Sequence, residues 1–215
     1  MFQKFGLLTL LFLSGCANVL HGAEPAADMP EYTRLSAVQF KTAGSYDQAL
    51  HAWKSPEDIN AWIDANFSYD MARAIRLSET QRAKLGQLSI YTPPEVFALK
   101  AGVCLDLSRF AVETLKAIDP QCDPKYLMIE FTPIQLSGNE LRWHWLVSFK
   151  RDGQSYFFAD SKRPGYMAGP YKHAQEFIHD YERYRDRKIV TFREVESYKK
   201  QWRTQALKLP AAENP

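Results

Sequence analysis

The sequence predicts an α+β domain in which N-terminal helices, one of them opening on a cysteine, pack against an antiparallel sheet, with further helices flanking it towards the C-terminus. Three observations predict it. Leu107, Phe110, Ala111, Leu115 and Ile118 recur at helical spacing. After Pro124 the chain turns to runs rich in β-branched and aromatic residues, bounded by turn formers. Hydrophobic residues make up 46% of the chain, enough to fill one core.

The first residues stand apart from that core. Gln3 and Lys4 give a short polar, positively charged start, and residues 5–13 form an apolar run. That run is far shorter than the roughly twenty residues a membrane-spanning helix needs. A charged start, a short apolar centre and a small-residue exit describe an export signal. The exit, Leu13-Ser14-Gly15-Cys16, resembles a bacterial lipobox, in which the chain is cut before the cysteine and the thiol is acylated, with palmitate for example. The alternative is an ordinary secretory signal with an incidental cysteine. Ala17 resembles the pattern of outer-membrane rather than inner-membrane lipoproteins. Residues 1–15 are read as signal peptide, 16–31 as lipidated Cys16 and a flexible tether rich in Ala, Glu, Asp and Pro, 32–208 as one domain, and 209–215 as a disordered tail. The expected place is the cell envelope, lipid-anchored, facing the periplasm from the outer membrane.

With a net charge of only +2, the chain lacks the concentrated basic face that nucleic-acid binding requires. Lysines and arginines thicken between Arg183 and Lys208, but acidic residues are interleaved, as on a solvated helix face.

Three cysteines are present, Cys16, Cys104 and Cys122. In an oxidising compartment the bland expectation for the last two is a disulfide. The helix predicted over residues 104–118 argues against it. Its length, at about 1.5 Å per residue, sets the two on the order of 20 Å apart, whereas a disulfide tolerates at most about 7 Å between Cα atoms. Cys104 is therefore expected free.

Upstream of it, Thr92 reads as a helix cap and Pro93 as the first helical position, with a short helix running through Leu99 and stopping near Ala101-Gly102. Cys104 then enters the long helix, which Asp119-Pro120 ends. A thiol in the first helical turn meets free backbone N–H groups and the positive end of the helix dipole, and both favour thiolate, the nucleophilic form. Gly102 would let the backbone turn tightly beside a reacting carbonyl.

Strands are predicted over residues 126–131, 141–149 and 154–160, the last two joined by Arg151-Asp152-Gly153. A two-residue Asp152-Gly153 turn would pair Arg151 with Gln154 and set Trp145 opposite Asp160. A three-residue loop with Gly153 as a bulge would pair Lys150 with Gln154 and set His144 opposite Asp160. Both turns suit the sequence. The second is adopted because a carboxylate beside an imidazole fixes its tautomer and leaves the other ring nitrogen for a thiol. Further helices are expected over residues 172–185 and 195–207, broken near Ile189-Val190-Thr191.

Gly102-Val103-Cys104-Leu105-Asp106, then His144-Trp145, then Ala159-Asp160 closing the next strand, preceded by Phe67-Ser68-Tyr69-Asp70, resemble the core of the transglutaminase-like superfamily. The resemblance covers roughly residues 59–165. It implies a papain/transglutaminase-like core with Cys104 as thiol, His144 as base and Asp160 as orienting carboxylate. The chain departs from the family pattern in bulky Trp145 after the histidine, in Ser161-Lys162-Arg163-Pro164-Gly165 after Asp160, and in Asp119–Pro124 after the cysteine helix.

The chemistry implied is acyl transfer from an amide. Cys104 attacks the carbonyl, a thioester forms, and His144 protonates the leaving amine and then activates water or an acceptor amine. Water gives a cysteine peptidase or amidase, an amine gives a transamidase, and water in vast excess favours hydrolysis. Backbone N–H groups near Cys104 are the expected oxyanion donors, with Gln87 and Trp143 as side-chain candidates. The rival reading is a catalytically inactive lipoprotein that binds a peptide or protein in the same cleft through Trp143, Trp145, Tyr156 and Phe158. No cofactor is implied. His51, His144, His173 and His179 show no zinc-ligand spacing with the cysteines. The expected partners are a peptide or protein substrate in the envelope and the membrane, through lipid on Cys16, with the domain a monomer.

Overall fold

The computed structural model describes residues 42–86 and 88–199. The expected signal sequence, Cys16, the expected tether, Gln87 and the expected tail lie outside the described residues.

Short capped helices build the N-terminal half. Helix α1 (Tyr46–Ala52) starts at Ser45, whose hydroxyl accepts from the Gln48 N–H, and α2 (Pro56–Asn66) starts at Ser55 with proline in its first turn. Strand β1 (Ser68–Tyr69) leads into α3 (Met71–Arg76) and α4 (Glu79–Leu85). Helix α5 (Pro93–Leu99) has the expected start, with the Glu95 carboxylate accepting from the Thr92 N–H at 2.7 Å. Lys100, at φ 54°, ends it. Strand β2 (Ala101–Gly102) pairs in parallel with β1, and α6 (Cys104–Ile118) follows with the boundaries its apolar period predicts. Leu107, Phe110, Ala111 and Leu115 on α6 are fully buried. Trp53, Trp62 and Phe97 from α1's end, α2 and α5 pack round Phe110; Trp62 lies 4.8 Å from Phe110 and stacks on Phe97 at 5.1 Å between ring centres. Each such ring contributes about 3 kcal/mol by leaving water, so this knot fixes the cysteine helix to the N-terminal half.

The second half is a five-stranded sheet in the order β6-β5-β4-β3-β7. It comprises β3 (Lys125–Leu136), β4 (Asn139–Arg151), β5 (Gln154–Phe158), β6 (Ala168–Tyr171) and β7 (Ile189–Val195), every neighbouring pair antiparallel. Strands β3 and β4 outrun the predicted segments because Ser137-Gly138, both at positive φ, close them as a continuous hairpin. Alternation divides the side chains between two layers. Tyr126, Met128, Trp145, Val147, Phe149 and Phe158 face α6, whereas Leu127, Ile129, Phe131, Leu146 and Phe157 face helix α7 (Ala174–Arg185). Helices on one face bearing the cysteine, and a C-terminal helix on the other, match the predicted fold class.

Three expectations need correction. Ile189-Val190-Thr191 is not a break between helices but the start of β7, which pairs with the outer edge of β3. These β-branched residues fit a pleated edge, and an edge strand need not alternate cleanly. Of the helix expected over residues 195–207, Val195 belongs to β7, Glu196 and Ser197 are irregular, Tyr198 and Lys199 are helical, and residues 200–207 lie outside the described residues. The hairpin between β4 and β5 is also the two-residue form: Asp152 and Gly153 both take positive φ, and Arg151 pairs with Gln154. Among the described residues no helix is long and apolar enough to cross a membrane.

Candidate active site

Cys104 is the first helical residue of α6, and Asp106 fixes it there. The Asp106 carboxylate accepts from the backbone N–H of Val103 at 3.0 Å and of Tyr91 at 2.8 Å. It also pairs with Arg73, with Nε at 2.7 Å from Oδ2 and Nη2 at 2.8 Å from Oδ1. Arg73 lies over the Tyr91 ring at 3.5 Å and donates to the Ser89 carbonyl. A Cβ on Gly102 would stand 2.9 Å from the Asp106 Cβ, so the glycine is required by that close approach. Strand pairing of Tyr69 with Gly102 then sets the Tyr69 ring beside the thiol.

Cys104 and Cys122 are both free thiols. The Cys104 sulfur accepts a hydrogen bond from the backbone N–H of Trp145, the peptide that follows His144. The thiol of half-buried Cys104 is pushed up to about 11, chiefly by burial, with Asp106 and Asp160 adding to the rise and the Trp145 N–H and Lys162 opposing it. Desolvation thus outweighs the helix start, against the expectation of a resting thiolate.

His144 and Asp160 meet by a route other than the predicted one. In the observed register Asp160 would fall opposite Trp145, on the α6 face. Pairing stops, however, at Val147 and Phe158, and Ala159 takes φ 59°. This left-handed residue breaks the alternation and turns the carboxylate to the α7 face, where Asp160 Oδ1 lies 2.9 Å from His144 Nε2. Both residues are buried. The Lys162 N–H donates to the same oxygen at 2.9 Å, and the Tyr181 hydroxyl donates to Oδ2 at 2.7 Å. Arg185 in turn donates to the Tyr181 oxygen at 2.8 Å, and the Tyr181 ring stacks on the imidazole, 12° from parallel.

Charge follows from these contacts. Burial alone would raise the Asp160 carboxyl, but His144, Arg185 and the Lys162 N–H hold it well below the usual carboxylate range. Burial lowers His144; Asp160 pulls it back, Arg185 and Lys162 push it down, and the net value lies below that of an ordinary histidine. At neutral pH the set is therefore a thiol, a neutral imidazole and a carboxylate. An ionised Asp160 has no proton to give, so Nε2 carries the ring hydrogen and Nδ1 is the basic nitrogen.

On the α6 side a cleft of about 490 Å³ opens on Cys104, walled by Tyr69, Leu77, Leu141, Trp143 and Trp145. Glu79, fully buried at its rim, holds Arg142 with two hydrogen bonds at 2.7 and 2.8 Å and also takes the indole N–H of Trp143. That N–H is therefore committed, which removes Trp143 as an oxyanion donor. Gln87 lies outside the described residues. Lys162, whose ammonium stands 3.5 Å from the centre of the Tyr69 ring, and Tyr181 with Arg185 were not singled out by sequence. Phe177, Ile178 and Tyr181 share a helical stripe, which reads as core packing and does not disclose where a hydroxyl points. Among the described residues no group of three His, Cys, Asp or Glu side chains is placed to hold a metal.

A helix-borne cysteine set against a sheet that carries a buried histidine–aspartate pair defines a papain-like or transglutaminase-like class of fold. A model of the transglutaminase-like domain matches residues 41–191, and the chain belongs to that family. Among solved structures, Legionella pneumophila LapG is similar at 17% identity and a TM-score of 0.36, over 71% of this chain and 76% of that one. Its calcium-bound form is similar at 19% and 0.34, over 66% and 65% respectively, and its EGTA-treated form at 16% and 0.33, over 71% and 76%. No curated protein matches.

Proposed function

We propose that the protein is a cell-envelope lipoprotein with a thiol-dependent acyl-transfer site that cleaves amide bonds in a peptide or protein substrate. Cys104 is the nucleophile, His144 the base and Asp160 the orienting carboxylate. The observation that carries this reading is the buried His144–Asp160 hydrogen bond of 2.9 Å beside the helix start that bears the thiol. A carbonyl entering the cleft takes the Cys104 sulfur as His144 Nδ1 accepts the thiol proton. The C–S bond forms, the oxyanion is met by backbone N–H groups at the start of α6, and the C–N bond breaks as the imidazolium gives its proton to the leaving amine. Water, deprotonated by the same nitrogen, then hydrolyses the thioester. The apolar walls of the cleft suit an uncharged side chain beside the scissile bond. Lipid on Cys16 would hold the domain at the periplasmic face of the outer membrane.

The protonated resting thiol favours one second reading, a peptide-binding protein that has lost turnover. Alkylation with iodoacetamide, read by peptide mass spectrometry, separates the two. Cys122 is buried, donates to Asp119 and is pushed up to about 12. Half-buried Cys104 is the more accessible of the two thiols. Cys104 should react at least tenfold faster than Cys122 near neutral pH, and H144A should remove the part of that lead due to the base. Equal, sluggish labelling that H144A leaves unchanged overturns the enzymatic reading.

A further inference from the structure

We propose that Tyr181 and Arg185 of α7 are positioning residues for the His144–Asp160 pair, a clamp that fixes both the angle of the carboxylate and the tautomer of the ring. The inference rests on the reading of Cys104, His144 and Asp160 as the reacting set.

The direction of each hydrogen bond follows from chemistry alone. Arginine has only donors, so in the 2.8 Å contact between Arg185 Nη1 and Tyr181 Oη the phenol oxygen accepts. Its single hydrogen is then left for Asp160 Oδ2, 2.7 Å away. Asp160 Oδ1 takes His144 Nε2–H and the Lys162 N–H, both at 2.9 Å. With donors on both oxygens the carboxylate cannot rotate about its Cβ–Cγ bond, and His144 must present its hydrogen at Nε2. The Tyr181 ring also runs near-parallel to the imidazole, with centres 6.2 Å apart. A phenylalanine would fill the same space in the core. The hydroxyl, buried and aimed at the carboxylate, is what core packing does not require.

Charged and titratable groups act on the pair from several elements. Lys162 follows it in the chain, Arg185 and Tyr184 come from α7, and Cys104 from α6. Arg185 opposes protonation of the imidazole, and the Tyr181 hydroxyl, by sharing the carboxylate's charge, weakens Asp160 as a partner for an imidazolium. Both effects keep the ring neutral, with Nδ1 free to accept a proton, at rest.

The test is 15N NMR of histidine-labelled full-length protein, with the His144 signals assigned by H144Q, in wild type, Y181F, R185M and R185K. The wild type should show the Nε2–H tautomer. In Y181F and R185M the His144 titration midpoint should rise by about half a pH unit or more, with mixed tautomers in Y181F, while R185K, which keeps charge and donor, stays near wild type. A purely structural role would lower melting temperature and leave tautomer and midpoint unchanged, and that result in folded Y181F or R185M overturns the clamp. If Y181F fails to fold, the R185M and R185K pair decides by itself. The readout needs no turnover. Sluggish Cys104 labelling together with a responsive His144 would sink the acyl-transfer reading, and with it the clamp's part in a reaction. Brisk labelling with an unresponsive His144 would sink the clamp alone.

Discussion

Replacing Asp106 by alanine should cost the domain about 4 to 6 kcal/mol. The Arg73 and Asp106 side chains are 5% and 0% exposed, and removing one partner of a buried pair costs about 3–5 kcal/mol because the other charge is stranded. The N–H groups of Val103 and Tyr91 lose their acceptor too, adding about 1 kcal/mol or more. In a domain of this size each kcal/mol lowers the melting temperature by about 2–4 °C, so D106A should melt roughly 10–20 °C below wild type. Differential scanning calorimetry, with circular dichroism as a second probe, measures it. A melting temperature within about 3 °C of wild type would refute the reasoning, since a shift that small is what a solvent-exposed ion pair would give. The double variant R73M/D106L refines the test. Replacing both charges by apolar groups should recover most of the stability, but the Val103 N–H stays without its acceptor. Thermal stability should therefore return without normal reactivity at Cys104.

Two further outcomes follow from the geometry. His144 is lowered in the fold, so unfolding takes up protons. Stability should be fully present above about pH 6.5, the unfolded value, and decline as pH falls from there towards the folded value; H144Q should flatten that part of a urea-denaturation profile, and an unchanged slope would show that His144 is not the group responsible. Gly165 sits at φ 80°, and a Cβ there would meet the Asp64 side chain at 2.4 Å while its carbonyl holds the Asn60 amide. Strain of about 1–2 kcal/mol plus overpacking of about 1–3 kcal/mol should make G165A clearly less stable, and a wild-type melting curve would show that the turn relaxes freely.

The elements that local chemistry specifies were legible. Thr92, Pro93 and Glu95 announce α5, and the stripe through Phe110 and Leu115 announces α6, because caps and helical periods act over a few residues. The β7 edge was not, because Ile189-Val190-Thr191 between two helical patterns reads equally as a break, and only its pairing with β3 decides. The meeting of His144 with Asp160 was expected on a wrong register. Asp152-Gly153 forms a two-residue turn, and a left-handed Ala159 makes up the difference; alanine gives no local sign that it will adopt that conformation, since the surroundings impose it. The oxyanion candidate Trp143 failed for a similar reason. A sequence shows that an indole has an N–H, and only the fold shows that Glu79 has already taken it. Tyr181 falls in the apolar stripe of α7, but the period does not disclose where its hydroxyl points, and the contact of Arg185 with it depends on partners brought together by the fold.

The sulfur belongs to the layer of α6 and the imidazole to the layer of α7, so the proposed thiol and base are carried by different layers of the fold. The lining of the cleft includes Tyr69, Cys104, Trp143 and Trp145 and no residue of α7. Whatever disturbs the packing of Phe177 and Tyr181 on the opposite side leaves the walls of the cleft untouched while loosening the base. On the proposed reading, affinity would depend on the walls of the cleft and rate on the packing behind the imidazole, so a compound wedged beneath α7 would slow turnover without displacing a bound peptide.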